Sequence, residues 1–447
     1  MANRNAVAPD EPQLDLTPFA EAPWLLGVPS PFYTDSHRAW QKACRAFINK
    51  HLSEHGLRWV KEGAVPVDLH RTFAKAGMLI PCLPAPLPLQ RLKNLGIHEL
   101  LGVLKLEDYD YFHFLIYVAE LYRCGLWGPA GTIVPGMSFG TPPILHYGSQ
   151  ELQDRLLPGL LTGTTRTCIA VTEPGAGSDV ANIETTATLV QEGKYYKVDG
   201  SKKWISTGIW ADYATTAVRT GGPGPSGISI LVIPLKDTPG VTCRSMDISI
   251  GKMAGTTFID FDNVLVPATN LVGEEGHGLR YILTNFNHER LSLVISAIVQ
   301  ARKVLSTAFA YTSRREAFGK RLIDQPVVRH RLAKAGAALE AEWSRTEQLT
   351  YAMNNLSKPD ADALLGGQIA MAKVGAGKVL EKCVSHAQVL LGGNSVTRTG
   401  QGELVEVISR EVGLTRVPGG SEDILLDLAI RELAKQWERK LKRGVQL

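Results

Sequence analysis

The chain has 447 residues, of which 44% are hydrophobic and 21% are charged, and this length predicts two or three domains rather than one core. Its net charge of +4 is small, and the densest basic cluster, RKLKR at 439–443, is too short to form a nucleic-acid groove. Six scattered cysteines without a CxxC pair argue against a zinc site or a disulfide framework and favour a reducing compartment. The first thirty residues lack an apolar signal segment and no apolar run reaches transmembrane length, so we expect a cytoplasmic protein without a membrane span.

Taken in chain order, the predicted elements change from helices to strands and back to helices. Residues 1–34 are rich in proline and are expected to form an arm that wraps a surface. Apolar residues three and four positions apart predict a helical domain at 35–166, and alternating or continuous apolar stretches predict a β domain at 167–275. Helical spacing returns in 276–447, with helices predicted at 279–313, 326–357, 360–391 and 421–440. The expected fold class is therefore an α+β multidomain chain in α–β–α order.

Three motifs match known functional patterns but lie in the wrong context. GMSFG at 136–140 fits the nucleophile elbow of a serine hydrolase built on Ser138, but the prolines in 141–143 are expected to block the helix that the elbow requires. HLSEH at 51–55 fits a zinc-binding pattern without an evident third ligand, so we expect no metal site. GGPGPSG at 221–227 has no helix after it and is interpreted as a loop rather than a dinucleotide fingerprint.

The string AVTEPGAGSDVANI, residues 170–183, follows a short apolar strand and contains the small residues Gly175, Ala176 and Gly177. Small residues let backbone N–H groups come close to a planar or anionic ligand, and the flanking hydroxyl groups add hydrogen-bond donors. A plain turn accounts for the Pro-Gly and Ser-Asp pairs but not for the whole string. We therefore interpret the string as a ligand-binding loop.

KKWISTG, residues 202–208, places an indole and a hydroxyl two positions apart in a predicted strand. Side chains two positions apart share one face of a strand, so Trp204 could stack on a flat cofactor while Ser206 bonds to its edge. A tryptophan in a strand usually belongs to the core, and it is the preceding loop that favours the cofactor interpretation.

RVPGGSEDILLD, residues 416–427, leads from a glycine pair into a predicted helix. With Ser421 as the N-cap, the free amides of the first turn would offer a place for an anion or a cofactor oxygen. Glu422 and Asp423 would lie in that first turn, where they favour the helix dipole, so capping is their expected role.

These strings resemble those of the acyl-CoA dehydrogenase family of flavoproteins, and the resemblance extends over about residues 37–435. Further matching strings follow in the family's order: HYGSQELQDRLLPGLLTG (146–163), VPATNLVGEEGHG (266–278), RREAFGKRLIDQPVVRHRLA (314–333) and LLGGNSVTRTG (390–400). The resemblance implies a helical N-terminal domain, a β-barrel-like middle domain, a C-terminal four-helix bundle and FAD as cofactor.

The resemblance also implies which residues would contact FAD: Ile169, Val171, Thr172, Gly177, Ser178, Trp204, Ser206, Arg315, Phe318, Gln388, Gly392 and Ser421. Arg315 and Phe318 would reach the FAD of a neighbouring subunit, which implies a homodimer or a homotetramer. Ser178 would also line the path of the acyl-CoA. Two departures concern the cross-subunit contacts: Pro326 stands where the family has a glutamine, and Gln388 lies one place early.

The resemblance implies α,β-dehydrogenation of an acyl-CoA or another acyl thioester, in which a carboxylate takes the α-proton and flavin N5 accepts the β-hydride. Many members of the family keep the base at a position that aligns here with Gly419, which has no carboxylate. A second position, used by isovaleryl-CoA dehydrogenase, aligns with Glu289 in NFNHERLSLVISA, and we predict Glu289 as the base. Substrate contacts are implied for Phe286, Asn287 and Arg290.

Alternatives stay open at this point. Glu289 alone could be a surface residue of an amphipathic helix, and the same fold could serve a flavin-dependent oxidase, an N-hydroxylating monooxygenase or a silent scaffold. The sequence selects neither the acyl chain nor the electron acceptor, which is an electron-transfer flavoprotein or oxygen.

Overall fold

Helices precede and follow one β-sheet in the structure, a computed structural model that describes residues 14–442. The α-helices are α1 (Asp35–Ile48), α2 (Gly56–Glu62), α3 (Asp68–Lys75), α4 (Leu89–Asn94), α5 (Tyr111–Tyr122), α6 (Trp127–Ala130), α7 (Thr141–Tyr147), α8 (Gln150–Thr162), α9 (Gly278–Leu283), α10 (Phe286–Arg314), α11 (Pro326–Asn355), α12 (Lys358–Leu391), α13 (Glu403–Arg416) and α14 (Glu422–Lys442). The strands are β1 (Glu99–Leu100), β2 (Leu104–Lys105), β3 (Thr167–Ala170), β4 (Thr186–Val190), β5 (Tyr195–Ile205), β6 (Tyr213–Arg219), β7 (Ile228–Pro234), β8 (Val241–Ser245), β9 (Thr257–Pro267), β10 (Leu271–Val272), β11 (Glu316–Ala317) and β12 (Lys320–Arg321). The predicted α–β–α order is confirmed.

The N-terminal helices are built around α5, in which every residue except Ala119 is buried. Its first turn is capped by Asp110, whose carboxylate accepts hydrogen bonds from the amides of Phe112 and His113 at 2.9 Å. α5 packs against α1 on one side and against α10 on another, so it joins the N-terminal helices to the C-terminal ones.

The described part of the predicted arm, residues 14–34, is held by buried charges. Arg45 donates to Glu21 at 2.7 Å and to Glu120 at 2.8 Å, and all three side chains are buried. Tyr33 donates to Glu347 of α11 at 2.6 Å. The described part of the arm therefore contacts both helical regions, while residues 1–13 lie outside the described residues.

The middle of the chain forms one eight-stranded sheet in the order β10-β7-β6-β4-β5-β9-β8, with β3 parallel to β6. β5 and β9 are its longest strands, with eleven residues each, and they pair antiparallel. Their inward side chains, including Val198, Ile205 and Ile259, form a core separate from that of the helices. The predicted β domain is confirmed, and β3 and β5 end at the edge where the candidate ligand loop begins.

Five helices of the C-terminal region pack together, and three of them (α10, α11 and α12) have 29, 30 and 34 residues. The prediction of a single helix at 279–313 is wrong, because the helix is interrupted at Thr284 and Asn285, between α9 and α10. Asparagine favours such breaks, since its side chain competes with the helix for backbone partners. α13 was not predicted from the sequence.

The segment Gly278–Arg314, which spans α9 and α10, has the length and hydropathy of a membrane-crossing helix, with a mean hydropathy of 1.4 in its most apolar window. The sequence criterion of an uninterrupted apolar run does not identify this window. However, 78% of it is buried inside the protein, which is the burial of a core helix.

Candidate active site

The loop that follows β3 is held by a buried ion pair. Lys202 of β5 donates to Glu173 at 2.7 Å and to the carbonyl of Val171 at 3.0 Å. Burial alone would raise the pKa of Glu173, but Lys202 and hydrogen bonds from Thr185 and Glu184 lower it below its ordinary value. Glu173 is thus a charged anchor inside the loop, and it fixes the backbone on either side.

The outer side of this loop is open. A Cβ atom added to Gly175 or Gly177 would meet no heavy atom within 4 Å. Ser178 is exposed, while Ile169, Val171 and Thr172 are half-buried. The predicted ligand loop therefore presents uncovered backbone to a ligand, and its shape comes from the Lys202–Glu173 pair rather than from packing on the outer side.

Trp204 and Ser206 do not share a strand face, so that prediction is wrong. The pairing of β5 with β9 shifts register between Lys202 and Ile205, and Trp204 takes a φ of +61°. β5 ends at Ile205, which leaves Ser206 beyond the strand. The indole of Trp204 is 49% exposed at the edge of the sheet, next to the Lys203 amide that bonds to Thr172 at 2.9 Å.

Glu289 lies in the first turn of α10 and is buried. The side-chain amide of Asn285 donates to Glu289 Oε1 at 2.7 Å. Burial raises the pKa of Glu289 to about 8, against the smaller lowering effects of Asn285 and Arg290. A carboxyl group whose pKa lies near neutral pH can exchange a proton under working conditions.

The two candidate base positions, 289 and 419, converge in space. Arg290 Nε donates to the carbonyl of Gly419 at 3.0 Å. Gly419 has a φ of +71°, and a Cβ atom there would lie 2.6 Å from Leu293 Cδ1. A glutamate at 419 would therefore need both a strained backbone and a displaced Leu293, which gives a physical reason for the carboxylate to stand on α10.

The loop before α14 is fixed by charges. The buried Lys373 of α12 donates to the carbonyls of Arg416 at 2.7 Å and Gly420 at 2.8 Å. Glu422 forms an ion pair with Arg416, with 2.9 Å between Oε2 and Nη2, so its main role is this pair rather than the expected capping.

α14 begins directly after Ser421, whose Oγ lies 3.4 Å from Ser178 Oγ. The two strings that were predicted to bind a cofactor thus meet.

A cleft of about 500 Å³ opens beside the first turn of α10, although Glu289 itself is not among the described residues that line it. Phe286, Asn287 and Arg290 all line it, and the Arg290 guanidinium lies 4.7 Å from the centre of the Phe286 ring. The structure adds lining residues that were not predicted, and these include Pro225, Ser226, Arg280, Gly366 and Leu428. The GGPGPSG string is a loop as predicted, and its proline and serine form part of this cleft. Ser178 is not among the described residues that line it.

Four predicted FAD contacts lie at the opposite end of the helices. Arg315 immediately precedes the β11–β12 hairpin, which begins where α10 ends, and Phe318 lies in its turn. At 1.5 Å per residue, Arg315 lies about 39 Å along the helix axis from Glu289. Gln388 and Gly392 end α12 at the same side, as the hydrogen bond from Asn394 to Tyr311 at 3.1 Å indicates. Within one chain these residues are not next to Glu289.

The GMSFG segment is not a nucleophile elbow, although the expected reason was wrong. Pro142 and Pro143 do not block a helix but lie in the first turn of α7, where missing N–H donors cost nothing. Residues 136–140 form a π-helical turn rather than the end of a strand. Ser138 is fully buried and its hydroxyl donates to the carbonyl of Cys82 at 2.6 Å, so it is no exposed nucleophile.

One cluster among the described residues has the spacing of metal ligands, and it does not include His51 or His55 of the HLSEH string. It consists of His37, Asp110 and His113, whose candidate ligand atoms lie within 4.8 Å of one another. Asp110 Oδ1 already accepts the two amides that it caps, and it also contacts both histidine rings at 3.1 and 2.8 Å. The cluster is accounted for as a helix cap with its supporting histidines.

The chain matches three acyl-CoA dehydrogenase family models: the N-terminal domain at residues 34–164, the middle domain at 168–264 and the C-terminal domain at 276–434. Acyl-CoA dehydrogenase apdG of Emericella nidulans is 56% identical over 431 residues, which cover 96% of this chain and 98% of that protein.

Solved structures agree with these matches. The crystal structure of a putative acyl-CoA dehydrogenase from Mycobacterium smegmatis superimposes with a TM-score of 0.79 at 28% identity, over 91% of this chain and 99% of that one. A glutaryl-CoA dehydrogenase of the same organism, solved in complex with FADH2, shares the fold with a TM-score of 0.76 at 23% identity, over 92% and 97% of the two chains. The resemblance predicted from the sequence is confirmed: the chain belongs to the acyl-CoA dehydrogenase family and is an FAD-dependent oxidoreductase.

Proposed function

We propose that this protein converts an acyl-CoA to its α,β-unsaturated form, with Glu289 as the base. The observation that carries the proposal is a buried carboxyl group with a pKa raised to about 8, on the helical turn whose residues Phe286, Asn287 and Arg290 line a cleft of about 500 Å³. The relatives are named as dehydrogenases, which favours this reaction over the oxidase or N-hydroxylating alternative.

The residues around the loop after β3 fit an FAD. Gly175 and Gly177 leave room for a ligand at the backbone, and the indole of Trp204 is half-exposed where a flat ring system could stack. Val171, Thr172, Ser178, Ser206 and Ser421 would supply the polar contacts. When bound, FAD supplies the acceptor for the β-hydride and its electron pair.

Glu289 would take the α-proton of the substrate on its carboxylate. Its burial keeps water away and strengthens its interaction with a charge that develops on the substrate. Arg290, the next residue along the helix, donates to the carbonyl of Gly419 and lies over the Phe286 ring, so its own position is fixed. Because only the deprotonated carboxylate accepts a proton, the rate should rise as the pH increases through about 8 in the free enzyme.

The cleft would hold the thioester and part of the CoA arm. Phe286 and Asn287 line it, and Arg280 lies on the same wall. Arg280 forms no ion pair with any residue in the described part of the chain, so its charge is available to a phosphate group. This cation supports CoA, or another phosphate-bearing carrier, as the part of the substrate that the cleft binds.

We also propose a homo-oligomer, a dimer or a tetramer, in which Arg315, Phe318, Gln388 and Gly392 contact the FAD of a second subunit. The separation of about 39 Å between Arg315 and Glu289 supports this arrangement, because one chain cannot bring both groups to one flavin edge. An electron-transfer flavoprotein is the proposed electron acceptor. The six free cysteines favour the cytoplasm.

The direct test is an anaerobic titration of the purified yellow protein with butyryl-, isovaleryl-, octanoyl- and palmitoyl-CoA. We expect at least one of them to bleach the flavin absorbance near 450 nm and to yield an enoyl-CoA in equal amount. If none of these compounds reduces the flavin, while an amine or a nitroalkane does, the dehydrogenase proposal is wrong.

A further inference from the structure

Asn285 contacts the proposed base and a distant part of the chain with the same atom. It lies in the break between α9 and α10 and is 6% exposed. Its Nδ2 donates to Glu289 Oε1 at 2.7 Å and to the carbonyl oxygen of Ser138 at 2.8 Å. Both partners are acceptors, so they determine which end of the amide is the NH2 group.

The Ser138 carbonyl is itself firmly placed. The Ser138 hydroxyl donates to the carbonyl of Cys82 at 2.6 Å, and His288 Nε2 donates to the same carbonyl at 2.9 Å. Ser138, Cys82 and His288 are all buried, so these bonds are shielded from water. The GMSFG segment therefore acts as a fixed acceptor that directs one hydrogen of the Asn285 amide.

The two hydrogens of a planar amide diverge in fixed directions. With one of them held by Ser138, the other is aimed at Glu289 Oε1 and orients the carboxyl group. Glu289 Oε2 has no hydrogen-bond partner among the described residues. The base thus has one oxygen that is held and one that is free to take a proton.

We infer that Asn285 is a positioning residue for Glu289: it holds Oε1, stabilises the carboxylate form and leaves Oε2 as the oxygen that accepts the α-proton. This inference rests on the proposed role of Glu289. A hydrogen bond to the charged form of an acid favours that form, so Asn285 keeps the base active at lower pH than burial alone would allow. The lowering effect of Asn285 on the pKa of Glu289 agrees with this geometry.

Other titratable groups surround Glu289, and none of them changes in the variants below. On its own helix it is flanked by His288 and Arg290, of which Arg290 lowers its pKa. On the neighbouring elements, Lys373 of α12 interacts with Arg290, Lys358 of α12 and His146 of α7 act on His288, and the Tyr111 ring of α5 lies 6.0 Å from the His288 ring. A shift produced by changing Asn285 therefore belongs to the amide.

The test is the rate of anaerobic flavin reduction between pH 6 and pH 10 for Asn285→Leu, a replacement of similar shape without donors. The substrate is whichever of the four acyl-CoA compounds named above reduces the wild-type flavin fastest. We expect the rising limb of the plot of reduction rate against pH to move to higher pH by about one unit. The rate at pH 7 should then fall about tenfold, while the rate at high pH stays near normal. An equal loss at every pH, or an unmoved limb, would overturn the inference.

Asn270→Leu is the matched control, because Asn270 is similarly buried and donates to the carbonyl of Val232, in the sheet. In Asn270→Leu, the rising limb of the pH–rate plot should stay at the same pH as in the wild type. If Asn285→Leu does not retain flavin, Asn285→Ala removes the amide without added bulk and is measured in the same way. Loss of flavin in both variants would mark Asn285 as purely structural and overturn the inference. Flavin reduction by Glu289→Gln would instead show that the proposed base is wrong.

Discussion

Position 419 shows how backbone conformation decides where a functional side chain can stand. Gly419 is left-handed at φ +71°, which costs a non-glycine residue about 1–2 kcal/mol, and Leu293 fills the space beside it. Glu289 reaches the same region from a regular helix without strain. A carboxylate on α10 therefore needs no rearrangement of the loop that Lys373 and Arg290 hold.

Gly419→Ala should lower the free energy of unfolding by about 1–3 kcal/mol, from the positive φ and the contact with Leu293. Urea unfolding measures it. Gly413→Ala is the control, since a Cβ atom there meets nothing within 4 Å and the residue is helical. That control should be neutral or stabilising by up to about 1 kcal/mol. Equal stability of the Gly419 variant and wild type would contradict the strain argument.

At the same scale, the sequence predicted residue identities better than their geometry. Glu289 could be found from the HER string and the missing acid at 419. The contact between Asn285, which holds Glu289, and Ser138 could not be found in this way. Ser138 and Asn285 are 147 positions apart, and only the fold brings them together. Trp204 was identified but misplaced, since a register shift in a strand leaves no trace in the alternation of residue types.

At the scale of elements, the Lys202–Glu173 ion pair ties the candidate ligand loop, which follows β3, to the strand β5. Lys202 is fully buried and Glu173 nearly so. Removing one partner of a buried pair leaves an uncompensated charge, whereas the pair itself mainly determines conformation. The outer side of the loop is open at Gly175 and Gly177, and Ser178 contacts Ser421 at 3.4 Å.

Lys202→Met should therefore lower the free energy of unfolding by about 3–5 kcal/mol and reduce the FAD content of the purified protein. Thermal unfolding measures the change in stability, and the absorbance at 450 nm per chain measures the FAD content. Lys236→Met serves as the control, because Lys236 pairs with Asp212 at the surface and should contribute less than about 1 kcal/mol. Full flavin content in the Lys202 variant would show that the loop does not need this pair.

The sequence predicts helix boundaries well where the apolar pattern repeats over many turns, and poorly where glycine or proline residues decide the local structure. α11 and α12 were predicted within a few residues, because their apolar faces repeat over many turns. α13 begins after a run of short turns at Gly392–Gly402 and was overlooked. α7 begins with prolines that suit a first turn, so the same residues that stop a helix elsewhere start one here.

At the scale of the whole molecule, α10 connects the proposed base to the proposed subunit contact. Its first turn carries Glu289, and its last turn leads into a hairpin whose tip residue Phe318 is 93% exposed. Phe318 and Gly319 both have positive φ, which suits a two-residue hairpin turn. The exposure of Phe318 is compatible with the proposed contact of this hairpin to a second subunit.

Phe318→Asp should lower both the oligomer mass in size-exclusion light scattering and the FAD content, while far-UV circular dichroism stays unchanged. The reason is that Phe318 buries almost nothing within its own chain. Val67→Asp replaces another exposed apolar residue, 77% exposed beside α3, and should change neither quantity. A Phe318 variant with normal mass and normal flavin would contradict the subunit arrangement.

The central claim is that Glu289 removes the α-proton, and anaerobic flavin reduction by an acyl-CoA in Glu289→Gln tests it most directly. Glu411→Gln is the matched control, since Glu411 is also buried with a pKa raised to about 8 but lies on α13, where its carboxylate accepts from the Trp127 amide and from Gln300. We expect both variants to purify yellow, the Glu411 variant to bleach, and the Glu289 variant to bleach at least about a hundredfold more slowly. Bleaching of Glu289→Gln at the wild-type rate would contradict the account.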